Sequence, residues 1–231
     1  MPLPTVILPG YLASAQPYAE MEQALANAGY PAATVPLRRR DWLPTIGGRS
    51  VINIIQALDA TAQRAMVDHG CNQINLVGHS AGGWIARIYL GESPYDIHPS
   101  DRKRTLPRPA RRHVKTLVTL GTPHISQERW TRKNLDFVNQ TYPGAFYDDV
   151  DYVCVAGKSI EGKRADWFTF NSYKLTVGEG QVWGDGVVPL MAAHLNGANN
   201  ITLDNVLHSP RPSGLWYGSP DIVKTWCRWL A

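Results

Sequence analysis

Cysteine is scarce in this chain. Cys71, Cys154 and Cys227 are an odd, widely separated set in 231 residues, with no C-x-x-C pair. That spacing offers no metal site and argues against a disulfide framework, so a reducing compartment, the cytoplasm, is expected. Long apolar runs are missing as well. No stretch approaches the ~20 residues that a membrane-spanning helix requires. There is no internal repeat and no low-complexity linker, and no shift of composition demands a second domain. Residues 1–231 therefore read as one domain with a sizeable core. Apolar residues make up 44% of the chain, too many for a disordered segment. The net charge of +4 is mild; it permits contact with anionic surfaces without requiring it. No nucleic-acid motif is present. Residues 6–12 and Ala13-Ser14-Ala15 imitate a secretory signal. No Lys or Arg precedes them and Pro9-Gly10 interrupts the apolar run, so they read as a strand and its loop.

What the chain does have is alternation. Residues 5–8, 33–37, 73–77, 114–120, 152–156 and 201–203 read as strands. Residues 17–28, 51–69, 84–90 and 221–230 read as helices, the second with Val51, Ile55, Leu58, Ala62 and Ala65 on one face. Such alternation predicts an α/β fold with a mostly parallel sheet of about six strands and helices on both faces, its site at the carboxyl ends of the strands. Two segments interrupt the pattern. Residues 91–113 form a basic, proline-containing loop with Arg102, Lys103, Arg104, Arg108, Arg111 and Arg112, and Lys115 follows. It reads as a solvated loop or as a patch for peripheral contact with anionic headgroups. Residues 125–182 are rich in aromatics, among them Trp130, Phe137, Tyr142, Trp167 and Tyr173. They read as core packing or as a small cap over the site.

Chemistry concentrates at Gly78-His79-Ser80-Ala81-Gly82. This G-x-S-x-G stands between an apolar strand and a helix, the context of a nucleophile elbow. A serine hydroxyl needs a base, and the base an orienting carboxylate. Asp185, between Gly184 and Gly186 and ahead of Val187-Val188-Pro189, is the candidate acid. Asp148, Asp149 and Asp151 fall at the wrong end of the sheet. Beyond Asp185 only His194 and His208 can serve as the base, and His208, after the last strand, is preferred. His79, His113 and His124 are expected to be structural, with the His79 side chain turned away from the base. The oxyanion donors are assigned to the backbone N–H of Ala81 and of Tyr11, with Leu12 next. This chemistry calls for no metal and no cofactor.

Taken together, Leu8-Pro9-Gly10-Tyr11, the Ser80 segment, Leu120-Gly121-Thr122-Pro123-His124 and Gly184-Asp185-Gly186-Val187-Val188-Pro189 resemble the lipase-like branch of the α/β-hydrolases. The third and fourth are similar to segments of lipases, lecithin–cholesterol acyltransferases and GPI inositol-deacylases. Together with Trp216-Tyr217-Gly218-Ser219-Pro220, the pattern is similar to α/β-hydrolases of cyanobacteria and plant chloroplasts. The resemblance implies a minimal α/β-hydrolase fold without the two leading antiparallel strands. It also implies a serine hydrolase of carboxylic, lipid-like esters acting through an acyl-enzyme. An acyltransferase using the same three residues and a non-catalytic lipid-binding protein of this fold are the alternatives. Many lipases carry His-Gly where this chain has Pro9-Gly10, which bears on the shape of the acyl pocket.

Overall fold

The computed structural model describes residues 2–95, 97–98, 110–211 and 213–231. Its centre is a six-stranded sheet. β1 (Thr5–Leu8) is followed by a 3-10 turn at Gln16–Tyr18, then α1 (Ala19–Asn27) and β2 (Ala32–Thr34). α2 (Ile52–His69), β3 (Ile74–His79), α3 (Ala81–Leu90) and β4 (Val114–Leu120) come next. α4 (Arg129–Thr141), β5 (Asp151–Lys158), β6 (Ile160–Glu161), α5 (Trp167–Val177) and β7 (Trp183–Gly184) follow. β8 (Asn199–Asp204), β9 (Val206–Leu207), β10 (Leu215–Trp216) and α6 (Pro220–Trp226) complete the chain. The sheet order is β2-β1-β3-β4-β5-β8. Each neighbouring pair in it is parallel.

Side chains of a strand alternate between the two faces of a sheet, and the core divides accordingly. Val6, Leu8, Leu76 and Leu117 face α2 and α3, packing against Ile55, Leu58, Trp84 and Ile88. Ile7, Val77, Val118 and Val155 face α1 and α6, packing against Met21, Leu25, Val223 and Trp226. Burying one such side chain contributes about 1.5–3 kcal/mol, so the two layers together fix the sheet between helices.

The elements differ from the sequence reading where local chemistry overrides pattern. β2 stops at Thr34 instead of running over 33–37. Val35 N–H still bonds Ile7 O at 2.9 Å, but the next N–H due to face β1, that of Leu37, turns back to Val35 O at 2.7 Å and ends the ladder. β3 continues through His79, and α3 begins at Ala81 and not near Trp84. The segment 125–182 contains two helices that its composition hides. α4 buries a narrow stripe, Asn134, Leu135 and Val138, on an otherwise polar helix whose first turn is capped by the Glu128 carboxylate. Its aromatics divide between core and surface. Tyr142 and Tyr173 are buried, whereas Trp130, Trp167 and Phe168 are exposed.

Most of the basic loop read at 91–113 lies outside the described residues. Of its described cations, Arg111 pairs with Asp149 at 3.0 Å and, just beyond the loop, Lys115 pairs with Asp151 at 2.9 Å. Among the described residues, no helix is long and apolar enough to cross a membrane.

α3 approaches the sheet too closely for side chains at its start. A Cβ on Gly82 would lie 2.4 Å from Leu8 O and 2.9 Å from Pro9 O, both backbone atoms of β1 and its loop. Gly82→Ala must therefore push α3 off β1. The expected cost is about 1–3 kcal/mol or more, read as a lowered midpoint in urea unfolding.

Candidate active site

Four segments meet at the carboxyl end of the sheet. The first joins β3 to α3. Ser80 is the hinge between them, with φ 53° and ψ −124°. A non-glycine residue in this region is strained by about 1–3 kcal/mol. The turn holds because its surroundings dictate it. Ser80 N–H bonds Leu120 O at 2.8 Å and Gly83 N–H bonds Ser80 O at 3.1 Å. A Cβ on Gly78 would sit 2.5 Å from Gly83 Cα, so only glycine allows the strand and helix to cross here.

The second loop follows β1. A Cβ on Gly10 would lie 3.0 Å from the Ser80 Cβ, so the chain passes directly beside the serine. Tyr11 and Ala81 flank Ser80 in the same cleft. Among the described residues, no acceptor within the chain takes the N–H of either.

The third and fourth segments bring Asp185 and His208 together. Asp185 follows β7, which pairs antiparallel with β6 beyond the end of β5, α5 lying between the two in the chain, and His208 follows β9. His208 Nδ1 and Asp185 Oδ2 are 2.8 Å apart, with side-chain exposures of 8% and 1%. The backbone repeats the link, His208 N–H donating to Asp185 O at 3.0 Å. The other carboxylate oxygen, Oδ1, accepts from Val187 N–H at 3.0 Å and Val188 N–H at 2.7 Å. Burial alone would raise the Asp185 carboxyl. The His208 imidazole and the two N–H donors outweigh it and hold the group below the ordinary carboxylate value.

Ser80 and His208 line the same cleft, without a hydrogen bond between their side chains. Such contacts are often longer without substrate and tighten around it. His194, the other base considered, lies against Thr202 Oγ1 at 3.3 Å.

Three residues at the site were not anticipated. Tyr217 O–H donates to Asp185 Oδ2 at 2.8 Å and accepts from Gly157 N–H at 2.7 Å. Only its place in Trp216-Tyr217-Gly218 pointed to it. Thr122 fills the space where Gly83 has no side chain, its Oγ1 2.0 Å from a Cβ placed there. Tyr18 O–H lies 2.7 Å from His79 Nδ1.

The expectation for His79 is corrected. Its side chain does not turn away from the base: the His79 and His208 ring centroids are 4.8 Å apart, and His79 Nε2 lies 2.8 Å from His208 O. β3 is central and buried on both faces, so its last side chain packs against the base loop and has no free face to occupy.

Two spaces open on Ser80. A larger cleft of about 450 Å³ runs past Leu12, Arg39, His208 and Trp216. A more enclosed arm of about 270 Å³ runs past Ala81, Trp84, Trp130 and Asn134, so α4 is one of its walls. Among the described residues, no group of His, Cys, Asp and Glu side chains is arranged to hold a metal ion.

No protein-family model and no curated protein matches the chain. Solved structures do. The chain is similar to the product of lin2722 from Listeria innocua, with 14% identity, a TM-score of 0.52, and 98% of this chain and 93% of that one covered. It is also similar to MGS-MChE2, an α/β hydrolase enzyme from the metagenome of sediments of the Mar Chica lagoon in Morocco. There the identity is 14% and the TM-score 0.50, with 99% and 90% covered. The chain has the α/β-hydrolase fold.

The buried histidines make stability depend on pH. Burial, and after it the neighbouring His208, push His79 down to about 3; burial, then Arg87, push His124 well below the ordinary value. The unfolded chain protonates both near pH 6.5, whereas the folded chain keeps them neutral. Stability is then full above pH 6.5 and falls as pH drops below it, by about 1.4 kcal/mol per pH unit for each histidine. Urea unfolding at pH 7 and pH 5 is expected to show a loss of roughly 2–4 kcal/mol; equal stabilities would contradict this reading.

Proposed function

We propose that the protein is a serine hydrolase of carboxylic esters. Ser80 is its nucleophile, His208 its general base and Asp185 the acid that orients the base. The observation that carries this reading is the 2.8 Å contact of His208 Nδ1 with the buried Asp185 carboxylate, in a cleft that also contains Ser80. The α/β-hydrolase fold supports it at the level of hydrolase chemistry.

In the proposed reaction Ser80 Oγ attacks the acyl carbonyl while His208 Nε2 takes its proton. Asp185 fixes the Nδ1–H tautomer and stabilises the imidazolium. The N–H groups of Ala81 and Tyr11 receive the oxyanion, each such donor contributing about 3 kcal/mol. His208 then returns the proton to the leaving alcohol. Water, deprotonated by the same imidazole, cleaves the acyl-enzyme and restores Ser80.

The direction of proton return assigns the two spaces. The alcohol must leave on the side of His208, so the larger cleft takes the alcohol portion. The enclosed arm, which has Ala81 but not His208 in its lining, takes the acyl group. At ~30 Å³ for each water-sized group, an arm of about 270 Å³ holds a chain of several carbons, not a full-length fatty acyl tail. Exposed Tyr11 and Leu12, both lining the larger cleft, suit an apolar, lipid-like alcohol portion.

Hydrolysis of p-nitrophenyl esters of increasing acyl length tests both parts. Turnover is expected to peak at short to medium chains and to fall for long ones. Ser80→Ala should lower kcat on the order of 10⁴-fold or more. Turnover surviving Ser80→Ala would overturn the assignment of the nucleophile, and a preference for long chains that of the acyl arm.

A further inference from the structure

The proposed reaction makes no use of a buried polar pair lying between the loop after β1 and the loop that carries His208. Tyr18 and His79 are 2% and 4% exposed. Gly10 N–H donates to Tyr18 O–H at 2.9 Å, and Tyr18 O–H lies 2.7 Å from His79 Nδ1. His79 Nε2 lies 2.8 Å from the backbone oxygen of His208. Donor and acceptor chemistry gives these contacts a direction. A carbonyl oxygen only accepts, so Nε2 carries the hydrogen and Nδ1 is the acceptor. The one Tyr18 proton must then point to Nδ1, which turns its lone pairs to Gly10 N–H. Three hydrogen bonds in series run from the loop before Tyr11, through the residue preceding Ser80, to the main chain of His208.

We infer that Tyr18 and His79 are positioning residues that tie the oxyanion loop and the base loop into one unit around Ser80. The inference rests on the serine-hydrolase reading of the site. An apolar pair of similar size would fill this space without the penalty of burying polar groups. The polar pair instead directs its hydrogen bonds to the two loops whose separation sets the geometry of attack. Neither residue is a second base. Both ring nitrogens of His79 are engaged, and burial, with His208 next, keeps the ring neutral down to about pH 3. A neutral strut beside a histidine that alternates between neutral and charged forms adds no competing charge.

The test compares four proteins. Tyr18→Phe removes one oxygen and breaks two of the three bonds. His79→Phe breaks the two that involve His79. His79→Gln offers an amide N–H toward His208 O and an amide oxygen toward Tyr18. With a short-chain p-nitrophenyl ester, Tyr18→Phe and His79→Phe are each expected to lose on the order of 10–100-fold in kcat, as expected for a small displacement of reacting groups. KM should change by less than about threefold. The acid limb of the kcat/KM–pH profile should move to lower pH, because a loosened His208 keeps less of its contact with the Asp185 carboxylate. His79→Gln should recover most of the lost kcat. A residue that only filled space would alter thermal stability and leave the pH limb unmoved. Near-native kcat with an unmoved limb in Tyr18→Phe would overturn the inference, as would a His79→Gln no better than His79→Phe. If Tyr18→Phe does not fold, the two His79 variants decide the matter. Those results presuppose an active native chain; a native chain inert toward every ester would instead defeat the serine-hydrolase reading.

Discussion

The close crossing of α3 over β1 and β3 is the constraint from which the rest of the site follows. Glycine at 78, 82 and 83 lets the helix start within contact of the strand backbones and of Thr122. Ser80 absorbs the reversal of direction in a backbone conformation that costs energy. The strain is sustained because β3 is buried on both faces and paired on both edges, by β1 and β4. Relaxing the turn would mean breaking central pairs of the sheet. A serine held this way has few alternative positions, which is the condition for preorganised chemistry.

Around that fixed point the charged and polar groups are arranged by hydrogen bonding more than by salt bridges. Asp185 is the hub. Its two oxygens meet an imidazole, a phenol and two backbone N–H groups, and each bond to a buried carboxylate contributes about 1.5–3 kcal/mol. The carboxylate is thereby kept ionised in a place where burial favours the neutral form. The Tyr18–His79 series does for the two loops what Tyr217 does for the acid. In both cases a phenol accepts from a backbone N–H and donates to a side chain at the site. Exposed ion pairs such as Arg64 with Asp68 contribute at most about 1 kcal/mol each and have no part in this arrangement.

Much of this was legible in the sequence, because it is written locally. β1 and β4 are found at 5–8 and 114–120 as read, since apolar runs bounded by Pro-Gly and Gly-Thr-Pro leave little freedom. Ser80, Asp185 and His208 stand in short motifs whose order along the chain the fold brings to one edge, and the structure gathers them in one region. The remainder depends on distant contacts. Tyr217 lies 32 residues from Asp185 and Tyr18 lies 61 from His79, and no local pattern encodes either meeting. The orientation of His79 was misread because alternation in a strand predicts the face but not what covers it. α4 escaped notice because its apolar stripe is narrow and its surface polar; the helix is held by Asn134, Leu135 and Val138 docking on the core.

Every role proposed for the site depends on Ser80 acting as the nucleophile. The most direct measurement is reaction of the native protein with a fluorophosphonate, followed by mass spectrometry of the intact chain and of its peptides. A single adduct on the peptide containing Ser80, formed at pH 7 and abolished by prior denaturation, is the predicted result. No adduct, or one on another residue, would contradict it and leave the β3–α3 turn as a feature of the fold alone.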